Sequence, residues 1–538
     1  MHRCSWAWSL FTRVPSFSLL IIGGLLVGCA GGPKVLPREE QKPIDRKYIE
    51  YPTGTELVAY ATGLTAPTAM AFDPEGQLLV AESGIGGGDA RVIGFKPSGE
   101  MFEVWPRRGR FPFQGGAKLH GPIGGIVAAN GYIYVTHRDA DDRGVVTRLD
   151  YVGGPPKTIV SNLPARGDHS VTDIAVAKDG RLFFGVGSAT NSGVVGLDNL
   201  SWVRQYRGFC DQPWTDQKNP WLYLSGHRFN TPNPFAGLFG GTDLAITAPF
   251  QAFGESLASR VHRAKGNAPT AAIYSVSPEG GDPTVEAFGI RHPVGLTFNE
   301  VGRLFFTNQG MKLRGTRPVK DDPDSLLRLV SGQWYGWPDF ATNFLPIHDP
   351  RFQPDSAMLA KTGYLELAPV IDHARSNLRP PAPRDETLLA GEFMPLSGAA
   401  KFDFVPSSGP FVRFRPDGRD VAVVALSGDR RPFDTGGQRL RTDLGRIGYR
   451  VVAVRVGTGQ VQELVYNASS HNAPWSELPQ AERGPVGLER PYDVKFGPDG
   501  AMYILDFGRM EMRDGRPRVS PGTGRIFKLV ASQEAAQR

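Results

Sequence analysis

The stretch "HSVTDIAVAKDGRLFFGVGS", residues 169–188, joins two runs of small, β-branched and aromatic residues through a Lys-Asp-Gly turn. Asp-Gly offers the positive φ that a tight hairpin demands, and the flanking Val, Ile, Leu and Phe suit buried strands. The same pattern returns along the chain. "TAPTAMAFDPEGQLLVAES" (65–83) and "HGPIGGIVAANGYIYVTHR" (120–138) precede it. "RHPVGLTFNEVGRLFFTNQG" (291–310), "GPFVRFRPDGRDVAVVALSG" (409–428) and "RPYDVKFGPDGAMYILDFG" (490–508) follow. A hairpin cannot bury both of its own faces, and repeated units solve this by stacking on one another. Six hairpins, completed by strands such as "AAIYSV" (271–276) and "YRVVAVRV" (449–456), predict an all-β fold: a six-bladed β-propeller. A sandwich or barrel would need six coincidental turns.

The repeat spacing is uneven. The long interval between the third and fourth copies predicts a loop-rich insertion at about 195–270, containing "NPWLYLSGHRFNTPNPFAG" (219–237). Loops of this kind usually decorate the face that builds a site. His227 and His262 lie in it without another histidine or acid at ligand spacing, so they read as loop histidines rather than metal ligands. "VSPGTGRIF" (519–527) has neither a following helix nor a Gly-Lys-Ser/Thr ending, so it does not read as a phosphate cradle.

Composition agrees with many short strands: 66 glycines and 45 prolines, with 21% charged and 10% aromatic residues among 538. The net charge of +6 is spread without a basic block interleaved with aromatics, which argues against nucleic acid as a partner. Arg3 and Arg13 precede the apolar run "FSLLIIGGLLVGCAGG" (17–32). That run is short and glycine-rich for a membrane span and fits a signal peptide. Leu26-Val27-Gly28-Cys29 has the form of a lipobox, with a plain signal peptide as the alternative. The expected organisation is a lipoprotein signal at 1–28, lipidation at Cys29, a tether over 29–52 and the propeller over 53–534. Ala30 after the cysteine points to the periplasmic side of the outer membrane of a bacterial envelope, with the lipid as the only membrane contact. Cys4 leaves with the signal and Cys29 is acylated, so Cys210 has no disulfide partner.

The fourth repeat carries the sharpest motif: "FGIRHPVGLTFNEVGRLFFTNQG" (288–310) followed by "DDPDSLLRLVSGQWYGWPDF" (321–340). The Gly-x-Arg-x-Pro-x-Gly strand entry, acidic stretch and Gly-x-x-Tyr-Gly-Trp-Pro turn resemble the soluble quinoprotein glucose dehydrogenase and L-sorbosone dehydrogenase family. The likeness runs over about residues 56–529 and is strongest in repeats three, four and six. It implies a propeller that binds pyrroloquinoline quinone (PQQ) and calcium, oxidises an aldose or sorbosone-like sugar, and passes electrons to an external acceptor.

On that resemblance Arg291 is a cofactor-facing arginine, followed by His292 where the family has asparagine. Arg490 matches one of two basic residues for the cofactor's carboxylates, and the other position is Tyr492. Repeat five offers Arg430 or Arg431, with Arg430 preferred, and His120 falls on a polar cofactor contact in repeat two. Calcium would rest on the main-chain carbonyls of Gly310 and Met311. The base would be His169, preceded by Asp168, with Ser188 where the glucose branch has an orienting aspartate. A hydroxyl can orient an imidazole but cannot stabilise imidazolium as a carboxylate does. Asp173, four residues along the strand from His169, is not an obvious substitute. Two other readings compete: a non-catalytic propeller that binds a sugar, polymer or protein, favoured by His292, Tyr492 and Ser188, and a calcium-dependent lactonase-type propeller.

Overall fold

The structure, a computed structural model, describes residues 32–106, 119–151, 154–214, 221–236, 242–257, 260–263, 268–436 and 446–532. The signal segment and Cys29 lie outside these residues. Six antiparallel sheets follow one another in chain order. Blade one is Pro67–Phe72, Leu78–Ser83, Ala90–Phe95 and Met101–Trp105; blade two is His120–Ala129, Tyr132–Arg138, Gly144–Asp150 and Lys157–Leu163. Blade three is Val171–Val176, Leu182–Val186, Ala272–Val276 and Thr284–Phe288; blade four is Pro293–Phe298, Leu304–Asn308, Asp324–Arg328 and Leu389–Phe393. Blade five is Ala399–Phe404, Val421–Leu426, Arg450–Arg455 and Gln460–Asn467. Blade six takes Pro491–Phe496, Met502–Asp506 and Gly524–Ala531 from the C-terminal part and Thr55–Leu64 from the N-terminal part. The innermost strand of each blade packs on that of the next, and the sixth returns to the first, so the ring is closed. The fold is a six-bladed β-propeller.

Alternation along the strands explains the stacking. Phe183 and Phe184 are consecutive and therefore face opposite sides of blade three. Phe183 joins Leu296 and Phe306 of blade four, whereas Phe184 joins Tyr134 and Val146 of blade two. Both faces are buried, so these strands read as continuous apolar runs. Carboxylates on the inner strands tie neighbouring blades: Asp173 accepts from the Leu296 N–H at 3.0 Å, Asp403 from Phe496 at 3.0 Å and Asp493 from Met70 at 2.9 Å. Asp173 also pairs with the Lys401 ammonium. Its role is to join blades three, four and five, away from His169.

Four sequence expectations change. Residues 34–52, expected within a tether, pack on the propeller: Lys34–Val35 pairs with Thr55–Leu64, Ile49–Glu50 pairs with Gln460–Asn467, and Ile44, Ile49 and Tyr51 are buried. In the fifth copy the first strand is Ala399–Phe404, not the residues after Gly409, which form two 3-10 turns at Val412–Phe414 and Pro416–Gly418. Pro410 and Pro416 cannot donate to a ladder, and the alternation of "FVRF" imitates a strand. Asn130 and Gly131 are both at positive φ, as a two-residue hairpin turn requires, whereas the Asp-Gly, Glu-Gly and Val-Gly turns at Gly180, Gly76, Gly302 and Gly500 use only the glycine. The insertion falls inside blade three, between its second and third strands, and a second excursion separates the third and fourth strands of blade four. The two pack together through Val194, Leu222, Phe229 and Phe250 from the first and Trp337, Phe352, Leu359 and Ile371 from the second.

Candidate functional site

At the end of the ring where the inner strands begin lies a cavity of about 550 Å³, to which every blade and the first insertion contribute. Seven side-chain cations line it against three carboxylates. The arrangement favours an anionic ligand.

His169 sits immediately before the inner strand of blade three, buried on the cavity wall. Its Nδ1 lies 2.8 Å from the main-chain oxygen of Ser188 and 3.2 Å from its Oγ. A carbonyl only accepts, so Nδ1 carries the proton and Nε2 keeps its lone pair. The Ser188 hydroxyl donates to the Thr190 carbonyl at 2.6 Å, which leaves its oxygen free to accept from the imidazole. Ser188 thus orients the ring mainly through its backbone. Burial pushes the His169 pKa well below its ordinary value, and His292, Arg291, Arg430 and Arg314 push the same way. His169 is neutral at pH 7, with a free Nε2 among the described residues.

The His292 ring stacks on His169 at 3.9 Å between centroids and 22° between planes. Its Nδ1 meets Gln309 Oε1 at 3.2 Å, and burial, Arg291 and Arg430 depress its pKa strongly. It lines the cavity as a neutral ring. Arg430 lines the cavity too, whereas Arg431 pairs with the buried Asp429 at 3.3 Å and does not. Of the two candidates, Arg430 is the one that borders the cavity. Arg490 borders the cavity with one guanidinium nitrogen donating to the carbonyls of Ser427 and Asp429, both at 3.0 Å. Tyr492 lies beside it, its phenol pushed up to about 12 by burial.

Arg291, His120, Gly310 and Met311 stand outside the cavity lining, and Asp168 lines it with its carboxylate turned to other partners. The Arg291 guanidinium is buried behind the wall and donates to Asn191 O at 3.0 Å, Asn191 Oδ1 at 3.1 Å and Gln309 O at 3.2 Å. It braces the loop that follows Ser188 and does not border the cavity. Asp168 makes no hydrogen bond to the His169 ring. Its carboxylate accepts from Asn199 Nδ2 at 3.0 Å, Trp202 Nε1 at 2.8 Å and Arg314 at 2.6 Å, so it fastens the insertion to the ring and is a positioning residue. His120 is exposed and outside the lining, where its neighbours Gly121 and Pro122 stand instead. The N–H groups of Gly310 and Met311 donate to Asp324 at 2.9 Å and Asp322 at 2.6 Å, and the Met311 side chain is buried in an apolar cluster.

Sequence reasoning passed over Lys312, Arg314 and Asp211. The Lys312 ammonium is buried on the cavity wall, 3.1 Å from Asp324 Oδ1. The side chains around residues 310 and 311 offer no free carboxylate to a divalent cation: Asp324 is engaged by the Lys312 ammonium and Asp322 by the Met311 and Thr342 N–H groups. Among the described residues no group of three His, Cys, Asp or Glu side chains is placed to hold a metal. The Ser225 hydroxyl meets His227 Nδ1 at 2.7 Å, and only the backbone of His262 is described. Asp211, from the first insertion, accepts from Ala189 N at 2.6 Å, Thr190 Oγ1 at 2.5 Å and Thr270 Oγ1 at 2.9 Å. It holds the segment that carries Ser188.

Burial raises the Asp211 pKa from 3.8 to about 6 against those hydrogen bonds. A raised folded-state pKa favours the protonated form, so the group's stabilisation is complete below 3.8 and is lost as pH rises through about 6. Asp211 is expected to make the protein more stable at pH 5 than at pH 7.5 by roughly 1 kcal/mol. Urea titrations at the two pH values check this, and in Asp211→Asn the difference should shrink by that amount.

No family model matches the sequence, and no curated protein does. Among solved structures, the chain is similar to an oxidoreductase from Thermus thermophilus described as a glucose dehydrogenase, at 18% identity over 88% of this chain and 100% of that one, with a TM-score of 0.45. It is similar to the PQQ domain of pyranose dehydrogenase from Coprinopsis cinerea, at 14% identity over 90% and 98%, TM-score 0.47. A third is the PQQ-bound aldose sugar dehydrogenase from Streptomyces coelicolor, at 14% over 89% and 99%, TM-score 0.43. The chain is similar in fold to a gluconolactonase and a streptogramin B lyase as well, at 10% and 13% identity.

Proposed function

We propose that this protein is an oxidoreductase that oxidises an aldose or sorbosone-like sugar with PQQ bound in the cavity. The observation that supports it most is His169: a neutral imidazole with Nδ1–H fixed on a carbonyl and Nε2 free, at the wall of a cavity rich in cations. The cofactor is a tricarboxylate, and Arg430, Arg490 and Lys312 are the cations that would hold it. When bound, the ortho-quinone supplies a two-electron acceptor for the hydride of the substrate's carbinol carbon. His169 Nε2 takes the hydroxyl proton. The Ser188 carbonyl keeps the ring in the tautomer that can do so. No carboxylate supports the resulting imidazolium, and His169 stays a weak base that must pass its proton on quickly.

Purified protein reconstituted with PQQ should reduce a redox dye when given aldoses such as glucose or sorbosone. Binding of the quinone without dye reduction by any aldose would favour the non-catalytic reading instead. The electron acceptor in the cell is an external one on this reading. The placement is a lipid-anchored envelope protein, supported by the sequence of residues 1–30. Labelling of expressing bacteria with a fatty-acid analogue should mark the protein, and Cys29→Ser should abolish the label.

A further inference from the structure

Lys312 stands in a loop between the second and third strands of blade four, where no motif drew attention to it. Its side chain is 2% exposed, yet it borders the cavity. Among the described residues its ammonium makes a single hydrogen bond, to Asp324 Oδ1 at 3.1 Å. An ammonium has three donors, so two are left without a partner at a buried wall. Such groups are costly unless a ligand accepts from them. Asp324 cannot take them. Its Oδ1 also accepts from Gly310 N at 2.9 Å, and its Oδ2 accepts from Gly398 N at 2.7 Å, Ala399 N at 3.0 Å and Ser397 Oγ at 3.2 Å. The main chain of Lys312 is held as well, its N–H donating to Asn191 Oδ1 at 2.8 Å. The ammonium is therefore a cation fixed at both ends, with donors to spare.

Resting on the quinone reading above, we infer that the Lys312 ammonium takes the place of a divalent cation in this site. It donates to acceptor oxygens of the anionic quinone, which binds without calcium. Three features converge on this. Lys312 directly follows Gly310 and Met311, at whose carbonyls the resemblance places the metal, and its ammonium engages Asp324, which also accepts from the Gly310 N–H. Lining cations outnumber carboxylates seven to three, which disfavours a further dication. Lys312 and Arg430 both act on the buried Asp434: burial raises its pKa, but Arg430, Lys312, Arg314 and Arg291 bring it down to about 2. The positive field at this wall is already present in the protein's own side chains.

The test is equilibrium binding of PQQ to protein freed of metal by a chelator, measured by calorimetry with and without added calcium. The inference expects affinities within about threefold of each other, and no heat from calcium alone. Lys312→Met should weaken quinone binding at least tenfold, the lower end for one charge-assisted hydrogen bond, and Lys312→Arg should recover most of it. Circular dichroism shows whether the variants fold; the wild-type comparison does not depend on them. If wild-type protein binds the quinone only with calcium, the inference about Lys312 is wrong and the quinone reading stands. If the quinone binds under neither condition, the functional reading falls and the inference with it.

Discussion

Replacing His169 with alanine is expected to lower the turnover of sugar by about 10²- to 10⁴-fold, the usual contribution of a positioned general base. In free energy this is about 3–5 kcal/mol of transition-state stabilisation. Quinone affinity should change little, because a neutral imidazole offers no charge to a tricarboxylate. The split matters, since a merely structural His169 would lower both together. The pH profile gives an independent readout. A base works only when deprotonated, and burial with four neighbouring basic groups holds this imidazole neutral far below the ordinary histidine range. Turnover should therefore persist as pH falls through 6.5, the ordinary value of a free histidine, and drop only at more acidic pH. Equal turnover in wild type and His169→Ala would remove His169 from the chemistry. A profile falling at about 6.5 would show that burial and the neighbouring cations do not act on it.

The ring was legible because its physics is local. Each blade needs strands apolar on both faces and a turn that closes them, and Phe183-Phe184 after Asp179-Gly180 writes both in a few residues. The fifth blade was half misread because "FVRFRPDG" has the pattern of a strand and turn without the partner strand that would make it one. The site was legible in register but not in direction. The motif places Arg291 correctly next to His292, yet its guanidinium turns toward Asn191, a residue a hundred positions earlier. No spacing in the sequence reveals which neighbour takes a fixed fork of donors. Asp168 came with His169 from the family motif, and the motif does not show that its carboxylate points to Trp202 and Arg314. Lys312 and Arg314 left one faint trace, the basic run "MKLRGTR" (311–317) just before "DDPD" (321–324), which pairs opposite charges across a short loop.

Arg314→Met should cost about 3–5 kcal/mol of stability, the loss expected when one partner of a buried ion pair is removed. Arg314 is 2% exposed and bonds two carboxylates, Asp168 and Asp198, which are 9% and 11% exposed. Without it both charges stay buried, and Asp198 already has a carboxyl pKa raised by burial despite that cation. The defect should be pH-dependent in a defined direction. Protonation of Asp198, whose pKa is raised to about 6, removes one of the two charges, so the penalty should shrink as pH falls toward about 5 and be largest above about 7. A triple variant, Arg314→Met with Asp168→Asn and Asp198→Asn, should recover most of the loss, because neutral amides need no counter-ion. Denaturant midpoints of the three proteins across pH decide the matter. A loss below about 1 kcal/mol, the range of exposed pairs, would show that Arg314 does not hold the insertion to the ring. The same substitution reaches the chemistry through position alone: Asp168 and Trp202 form one wall of the cavity beside His169, and both depend on this guanidinium for their place.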